Sequence, residues 1–156
     1  MIAPARQPLH ATAVALRLNE GWRGVLIQGP SGVGKSDLAL RLMHHGWRLV
    51  GDDRVEVFAC DSALYAAPPA AIAGRMEVRG LGIIAPAFLP MSRVVLSLHL
   101  VHETLERMPE PAQDELEGIT LPRLFLDPRP ASAPQVLTAA MRRLTTPSQG
   151  RDDGAL

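Results

Sequence analysis

The chain has 156 residues, 47% hydrophobic and 21% charged, a balance typical of one globular domain and not of a disordered chain. Sixteen Lys and Arg residues equal sixteen Asp and Glu residues, so no overall positive charge favours nucleic acid or an anionic membrane. No apolar run is long enough to span a bilayer, and the N-terminus lacks the apolar segment of a signal peptide. The single cysteine, Cys60, rules out an internal disulfide, and we expect a cytoplasmic protein.

The first predicted elements form a hairpin that leads into a glycine-rich loop. Residues 1–8 are a loose lead-in, and residues 9–18 alternate in hydrophobicity as a strand does. Asn19–Gly21 is typical of a turn, and residues 24–28 are a short apolar run that fits a buried strand. A helix is predicted over residues 37–45, where Leu38, Leu42 and His45 recur at helical spacing before Gly46.

The stretch between that strand and that helix reads GPSGVGKS and matches G-x-x-x-x-G-K-[ST], the phosphate-binding P-loop pattern. Backbone N–H groups of such a loop surround a phosphate at the positive end of the following helix. Lys35 would reach the β- and γ-phosphates, and the Ser36 hydroxyl would bind Mg²⁺. The alternative, a glycine-rich turn with a chance lysine, is disfavoured by the strand–loop–helix context. The predicted nucleotide-binding residues are Gly29, Pro30, Ser31, Gly32, Val33, Gly34, Lys35 and Ser36.

A pair of carboxylates, Asp52 and Asp53, follows the next predicted strand at residues 47–51. One carboxylate can bind Mg²⁺, and the other can accept a proton from an attacking hydroxyl. We expect this strand to lie parallel and adjacent to the P-loop strand, which would bring the pair close to Lys35. The alternative is a solvated turn without a chemical role.

The middle of the chain is predicted to contain a β-hairpin and then a strand with a charged face. Two apolar runs, 55–60 and 63–67, flank the polar pair Asp61-Ser62, and residues 70–74 are weakly helical. Residues 76–84 form the next predicted strand, with Glu77 and Arg79 on the same side. Such a face suits Mg²⁺ and phosphate, or is a surface salt bridge.

The later part of the chain contains two more predicted strands. Residues 92–101 fit a buried strand, in which His99 is more typical of a core or edge position than of a catalyst. Residues 102–108 are a turn or short strand, and residues 111–117 are predicted to be an acidic surface loop. The second strand covers 119–126, with an edge or bend at Pro122.

The predicted end of the domain is a proline-rich turn followed by a helix. Arg129 stands between two prolines, where it could bind an anion or lie in an ordinary surface turn. The helix is predicted over 133–144 with an apolar stripe of Val136, Ala140 and Leu144. We therefore predict an α/β fold with a P-loop nucleotide-binding core and a mixed β-sheet over residues 1–144, and a disordered tail over 145–156.

Four segments together resemble the P-loop catalytic domain of the HPr kinase/phosphorylase family, over roughly residues 9–90. The segments are LHATAVAL, GVLIQGPSGVGKSDLAL, GWRLVGDDRVEV and MEVRGLGII. The last is close to a signature of that family which ordinary metabolite kinases lack. The chain is similar to short α-proteobacterial forms, since it begins almost at the catalytic domain and its C-terminal part is shortened.

The resemblance implies an ATP- and Mg²⁺-dependent protein serine kinase whose partner is HPr or an HPr-like phosphocarrier protein, with phosphorolysis as a further activity. It implies Asp53 as proton acceptor, with His10 nearby, and Lys35 on the nucleotide phosphates. Ser36 and Glu77 would ligate Mg²⁺, with Asp52 as a further ligand from the carboxylate pair. Members of the family are typically hexamers, so a homo-oligomer is implied.

The resemblance also implies an arginine near the last helix, for which Arg129 is the nearest match and Arg123 a rival. Two other functions are compatible with the P-loop. A small-molecule kinase would need a lid with arginines, of which only scattered ones are present. A non-catalytic ATP sensor would bind ATP and dock to a partner without transferring phosphate.

Overall fold

The computed structural model describes residues 8–145 of the chain, and the predicted tail beyond Thr145 lies outside them, as do residues 1–7 of the predicted lead-in. The strands are β1 (Thr12–Leu18), β2 (Gly21–Gln28), β3 (Arg48–Gly51), β4 (Glu56–Cys60), β5 (Ala63–Ala67), β6 (Met76–Val78), β7 (Gly82–Ile84), β8 (Ser92–Leu100), β9 (Ala112–Leu116) and β10 (Ile119–Leu126). The helices are α1 (Lys35–Met43) and α2 (Ala133–Thr145), and a 3₁₀ turn covers Ala70–Ile72. Neither described helix is both long enough and apolar enough to cross a membrane.

A mixed sheet is the centre of the fold, as predicted. Its main order is β3-β1-β2-β8-β10-β9, and β5 also pairs with β8 and carries β4. Strands β2, β8 and β10 run parallel to one another, whereas β1 and β9 run antiparallel to their neighbours. The carboxyl ends of β2, β8 and β10 therefore meet at one edge of the sheet, where the loops that follow them can form a site.

The prediction that β3 lies directly beside the P-loop strand is wrong, because β1 is inserted between them. β1 pairs antiparallel with β2 on one side and with β3 on the other. A strand between two antiparallel partners leaves those partners parallel to each other. The end of β3 thus still reaches the same edge of the sheet as the end of β2, one strand further away.

Apolar side chains are buried on both faces of the sheet. One cluster packs between the sheet and the two helices and includes Val14, Ile27 and Leu38. The second lies on the opposite face, and Leu26 and Leu64 are among its fully buried members. Because successive residues of a strand point to opposite faces, the inner strands β1 and β2 are apolar at nearly every position.

Two short turns have the geometry that their residues predict. Asp61 and Ser62 both have positive φ, 48° and 62°, and they connect β4 to β5 as the predicted two-residue hairpin turn. Pro122 lies where β10 pairs with β9 alone, since pairing with β8 begins at Arg123. The missing N–H of the proline therefore costs no hydrogen bond to β8, which agrees with the predicted local edge.

Four other local predictions are wrong. Residues 76–84 are not one strand but the hairpin β6–β7, which reverses at Arg79–Leu81, so Glu77 and Arg79 do not share a strand face. The acidic segment 111–117 contains strand β9 and is not a loop. His45 lies beyond the end of α1 and is exposed.

The fourth error concerns the face of α2. Leu137 and Met141 are fully buried, whereas Val136 and Leu144 of the predicted stripe are 47% and 44% exposed. Both sets have helical spacing, so the pattern alone could not decide which of them faces the sheet.

Candidate functional site

The P-loop joins the end of β2 to the start of α1 and needs glycine at two positions. Gly29 has φ 150°, and a Cβ there would lie 2.9 Å from Val33 Cγ1 and 3.2 Å from the Leu100 carbonyl. Gly34 caps α1 with φ 111°, and its carbonyl accepts a hydrogen bond from Leu38 N at 2.9 Å. These glycines let the loop curl tightly above the helix N-terminus, the arrangement that binds phosphate.

Lys35 is the first residue of α1, and its ammonium group reaches back over the loop. Nζ donates to the carbonyl of Gly29 at 2.7 Å and to that of Pro30 at 3.2 Å. The loop therefore holds a positive charge among its own backbone groups, where an anionic phosphate would be attracted.

The next residue along the helix meets the end of β3. Ser36 Oγ donates to Asp52 Oδ1 at 2.7 Å, and Thr12 Oγ1 donates to the same oxygen at 3.0 Å. Thr12 is buried at the start of β1, the strand between β2 and β3. The inserted strand thus supplies the hydroxyl that orients the carboxylate.

Asp53 lies in a different environment from its neighbour. Its φ is 66°, and Arg54 N donates to the Asp52 carbonyl at 2.7 Å across it, so Asp53 is the centre of a tight three-residue turn. Backbone strain of this kind in a non-glycine residue is often found at functional sites. The turn directs a 71% exposed side chain outward, whereas Asp52 is held by two hydroxyls.

His10 lies beside Asp53 because the backbone of the preceding residue pairs across the turn. Leu9 and Val55 exchange two backbone hydrogen bonds, of 2.8 and 3.1 Å. His10 Nδ1 then lies 3.8 Å from Asp53 Oδ1, and both side chains are largely exposed. The structure therefore brings together four of the predicted residues as two neighbouring pairs, Ser36 with Asp52 and His10 with Asp53.

The Ser36 hydroxyl and the Asp52 carboxylate are hard oxygen donors, which suit Mg²⁺. Mg²⁺ usually takes few protein ligands and completes its shell with water and phosphate oxygens. Within residues 8–145 no cluster of three His, Cys, Asp or Glu side chains could hold a metal. A site of Ser36, Asp52 and phosphate oxygens fits that pattern. Glu77 is exposed on the β6–β7 hairpin and, among the described residues, makes no hydrogen bond or ion pair with either of them.

Arg129 lies on the loop after β10, and its guanidinium is engaged by a nearby carboxylate. Nε donates to Asp127 Oδ1 at 3.0 Å and Nη2 donates to Oδ2 at 2.9 Å. These hydrogen bonds lower the pKa of Asp127 to about 2. The loop also reaches the P-loop side of the molecule, because Arg41 of α1 donates to the carbonyls of Pro128 and Pro130.

Arg123, the rival to Arg129, belongs to a polar cluster on the sheet. Arg123 Nη1 lies 3.3 Å from Asp114 Oδ1, while Ser97 Oγ and His99 Nε2 lie 2.5 and 2.6 Å from Oδ2. Burial raises the pKa of Asp114, but the hydrogen bonds and positive charges around it have the larger combined effect and lower it. His99 is therefore a partner of an internal carboxylate, in line with the structural role that its position in the strand predicts.

Sequence reasoning missed three residues that contact the site. Thr12 was part of an ordinary strand pattern, and Arg41 an ordinary helix residue. His102, in a segment predicted only as a turn or strand, has Nε2 2.8 Å from the Val33 carbonyl of the P-loop. Each contact joins residues at least 40 positions apart, so it cannot be recognised from a short stretch of sequence.

Comparison with known proteins connects this geometry to a family. The model of the "HPr Serine kinase C-terminal domain" matches residues 7–123. That range includes the P-loop, both carboxylates, His10 and Glu77, and ends before Arg129.

Curated relatives and a solved structure agree with that match. Proteins named "HPr kinase/phosphorylase" from Streptococcus pneumoniae strains Hungary19A-6 and D39 are 40% identical over 114 residues, covering 65% of this chain. The chain spans only 37% of the length of those relatives. The structure titled "Hpr(Ser) kinase/phosphatase" from Coxiella burnetii superposes with a TM-score of 0.75 at 26% identity, covering 88% of this chain and 95% of that one.

Proposed function

The chain belongs to the HPr serine kinase C-terminal domain family, and from this premise we propose that it is an ATP-dependent protein serine kinase. Its substrate in this proposal is HPr or an HPr-like phosphocarrier protein, the substrate named in the titles of its relatives. The reaction takes place in the cytoplasm, where ATP is available. A homo-oligomer, implied by the family resemblance, stays a prediction that sedimentation of the purified protein would test.

The observation that supports the proposal most directly is that the two adjacent carboxylates lie in different environments. Asp52 accepts hydrogen bonds from Ser36 and Thr12, which suits a fixed metal ligand. Asp53 is exposed beside His10 at the same edge of the sheet, which suits a group that must meet the hydroxyl of a second protein. A kinase for a protein substrate needs such an open base next to a phosphate-binding loop.

The mechanism follows from these positions. The P-loop amides and Lys35 bind the phosphates of ATP, and Ser36 and Asp52 would hold Mg²⁺, which supplies positive charge at the phosphate oxygens. Asp53 orients the substrate serine and accepts its proton as the serine oxygen attacks the γ-phosphorus in line, and ADP leaves. His10 supports the carboxylate of Asp53 from 3.8 Å.

The same residues can act in the reverse sense, as the word phosphorylase in the relatives' name suggests. Inorganic phosphate would then occupy the P-loop and attack the phosphoserine phosphorus. The protonated carboxyl of Asp53 would return its proton to the serine oxygen as the P–O bond breaks, and pyrophosphate would be released. Production of pyrophosphate from serine-phosphorylated HPr and phosphate measures this activity.

The deciding experiment is transfer of labelled γ-phosphate from ATP to the HPr-type protein of the same organism. We expect label on a serine with the unaltered protein, and labelling at least about 10²-fold slower with Asp53→Asn. Lys35→Ala should weaken ATP binding as well as the rate, because it removes the charge that the loop holds. A Lys35→Ala protein that binds ATP normally would contradict the assignment of the phosphate site.

The two other functions give different results in the same assay. ATP binding without transfer to any HPr-like protein and without ATP turnover would favour an ATP sensor. Transfer to a small molecule, with HPr unlabelled, would favour a metabolite kinase. Either outcome would leave the phosphate-binding loop in place and overturn the protein kinase proposal.

A further inference from the structure

His102 contacts the P-loop from the segment that follows β8, the strand beside β2. It follows the carboxyl end of β8 by two residues, and its Nε2 lies 2.8 Å from the Val33 carbonyl. A carbonyl oxygen can only accept, so Nε2 must carry the proton of this hydrogen bond. The imidazole therefore fixes the direction of one carbonyl within the phosphate-binding sequence.

Fixing that carbonyl also fixes the next amide. In a trans peptide unit the C=O and the following N–H point in opposite directions, and the described chain has no cis peptide bond. Because the Val33 carbonyl points towards His102, the Gly34 N–H points away from it. Among residues 8–145 no acceptor for the Gly34 N–H is found. This amide is therefore free to donate to an anion at the start of α1.

A second loop comes near the same peptide. A Cβ added at Gly34 would lie 3.6 Å from Pro128 Cγ, so the Pro128 ring leaves room for about one methyl group beside Gly34. Arg41 of α1 holds the Pro128 and Pro130 carbonyls, which ties this loop to the helix that follows the P-loop. The loop after β10 is thus tied to α1 near this peptide, and the direct contact with the peptide comes from His102.

We propose that His102 is a positioning residue that holds the Val33–Gly34 peptide in the orientation that binds the nucleotide phosphates. The inference rests on the proposed function, since it assigns a role within the same ATP site. His102 acts through the backbone and not on the reacting atoms. Its removal should therefore weaken binding of ATP and ADP more than it slows phosphoryl transfer at saturating nucleotide.

The test compares variants with and without a donor at this position. His102→Leu and His102→Phe remove the donor, whereas His102→Gln offers an amide N–H of similar reach. His44→Leu, at an exposed histidine beyond α1, is the matched control. Calorimetric titration gives the dissociation constants for ATP and ADP, and thermal unfolding without nucleotide checks that each variant is folded.

We expect the donor-free variants to bind ATP and ADP about fivefold to tenfold more weakly, the loss corresponding to one hydrogen bond. His102→Gln should stay within about twofold of the unaltered protein, as should His44→Leu. In steady-state kinetics the change should be in KM for ATP, with KM for HPr unaltered. ATP affinity unchanged in both folded donor-free variants would overturn the proposal, as would a Gln variant as weak as Leu.

The two proposals fail in different ways. If the unaltered protein binds ATP but transfers no phosphate to HPr, the kinase proposal fails and the binding comparison still decides the role of His102. If transfer occurs and the His102 variants bind ATP normally, only the positioning role fails. A purely structural role would lower the unfolding temperature of all three His102 variants without the donor-dependent order of affinities.

Discussion

The Ser36 hydroxyl donates a 2.7 Å hydrogen bond to Asp52 Oδ1 and so joins the start of α1 to the end of β3. Between the strand of the P-loop and β3 lies β1, whose Thr12 donates to the same carboxylate oxygen at 3.0 Å. Strand β1 therefore contributes to the candidate site as well as to the sheet. It supplies the buried hydroxyl that sets the orientation of the proposed metal ligand.

Replacing Thr12 with valine should weaken the interaction of the protein with Mg²⁺. The substitution keeps the shape of the side chain but removes the donor that orients Asp52, and loss of such a partner typically costs about 10-fold to 100-fold in metal affinity. The apparent Mg²⁺ constant of the kinase reaction should rise by about 10-fold. Thr120→Val, at an exposed position of β10, should leave it unaltered. Equal Mg²⁺ constants in both variants would refute this role of Thr12.

Replacing Asp53 with asparagine should separate catalysis from nucleotide binding. Asparagine tolerates the positive φ of 66° at this turn, so the backbone is kept while the proton acceptor is lost. We expect kcat to fall by about 10²-fold to 10⁴-fold, the usual contribution of a general base. ATP affinity, measured by titration, should stay within about twofold. A variant that keeps half of the normal rate would show that another group accepts the proton.

Asp114 should stabilise the fold in a way that depends on pH. Its carboxylate binds Ser97, His99 and Arg123 and is only 17% exposed, so Asp114→Ala leaves the buried Ser97 hydroxyl and two partly buried side chains without this partner. We expect a loss of about 1–3 kcal/mol in the free energy of unfolding at pH 7, measured with urea. Glu115→Gln, the exposed neighbour on β9, is the control and should be close to neutral.

The sign of the pH dependence follows from the lowered pKa of Asp114 in the folded state. An unfolded chain binds a proton there near the ordinary value of 3.8, and the native state binds it only at lower pH. The stabilisation is therefore fully present above about pH 4 and is lost as the pH falls through the lowered pKa. The stability difference between the unaltered protein and Asp114→Ala should shrink over that range. A difference independent of pH would mean that the charge of Asp114 contributes nothing.

Short sequence patterns predict those parts of the fold that depend mainly on residues close together in the chain. The strand before the P-loop sequence, the helix after it, the Asp61-Ser62 turn and the strand at Ser92–Leu100 were all predicted from short patterns and confirmed. Phosphate binding by the loop stays a prediction. Strand β9 was missed because its charged residues resemble a surface loop. Only its pairing with β10, and the partners of Asp114 across the sheet, explain why an acidic segment forms a strand.

Contacts between distant segments explain what the sequence could not predict at the site. Whether Asp52 or Asp53 meets Ser36 depends on the turn after β3, and two adjacent identical residues give no signal that distinguishes them. The approach of His102 to Val33 depends on the pairing of β8 with β2, which brings together residues 69 positions apart. In both cases the sequence predicts which chemical groups are present, and the order of the strands in the sheet determines which of these groups come into contact.

The buried face of α2 can be tested directly, because the structure and the sequence pattern assign it to different residues. Leu137 is fully buried between the helix and the sheet, whereas Leu144, in the stripe that the sequence predicts, is 44% exposed. Leu137→Ala should therefore lower the free energy of unfolding by about 2–5 kcal/mol, because it removes buried methyl groups and leaves a cavity. Leu144→Ala should cost less, about 1 kcal/mol, since nearly half of the residue already contacts water. Urea unfolding of the two variants measures both values, and the reverse order would mean that the helix packs through the predicted stripe.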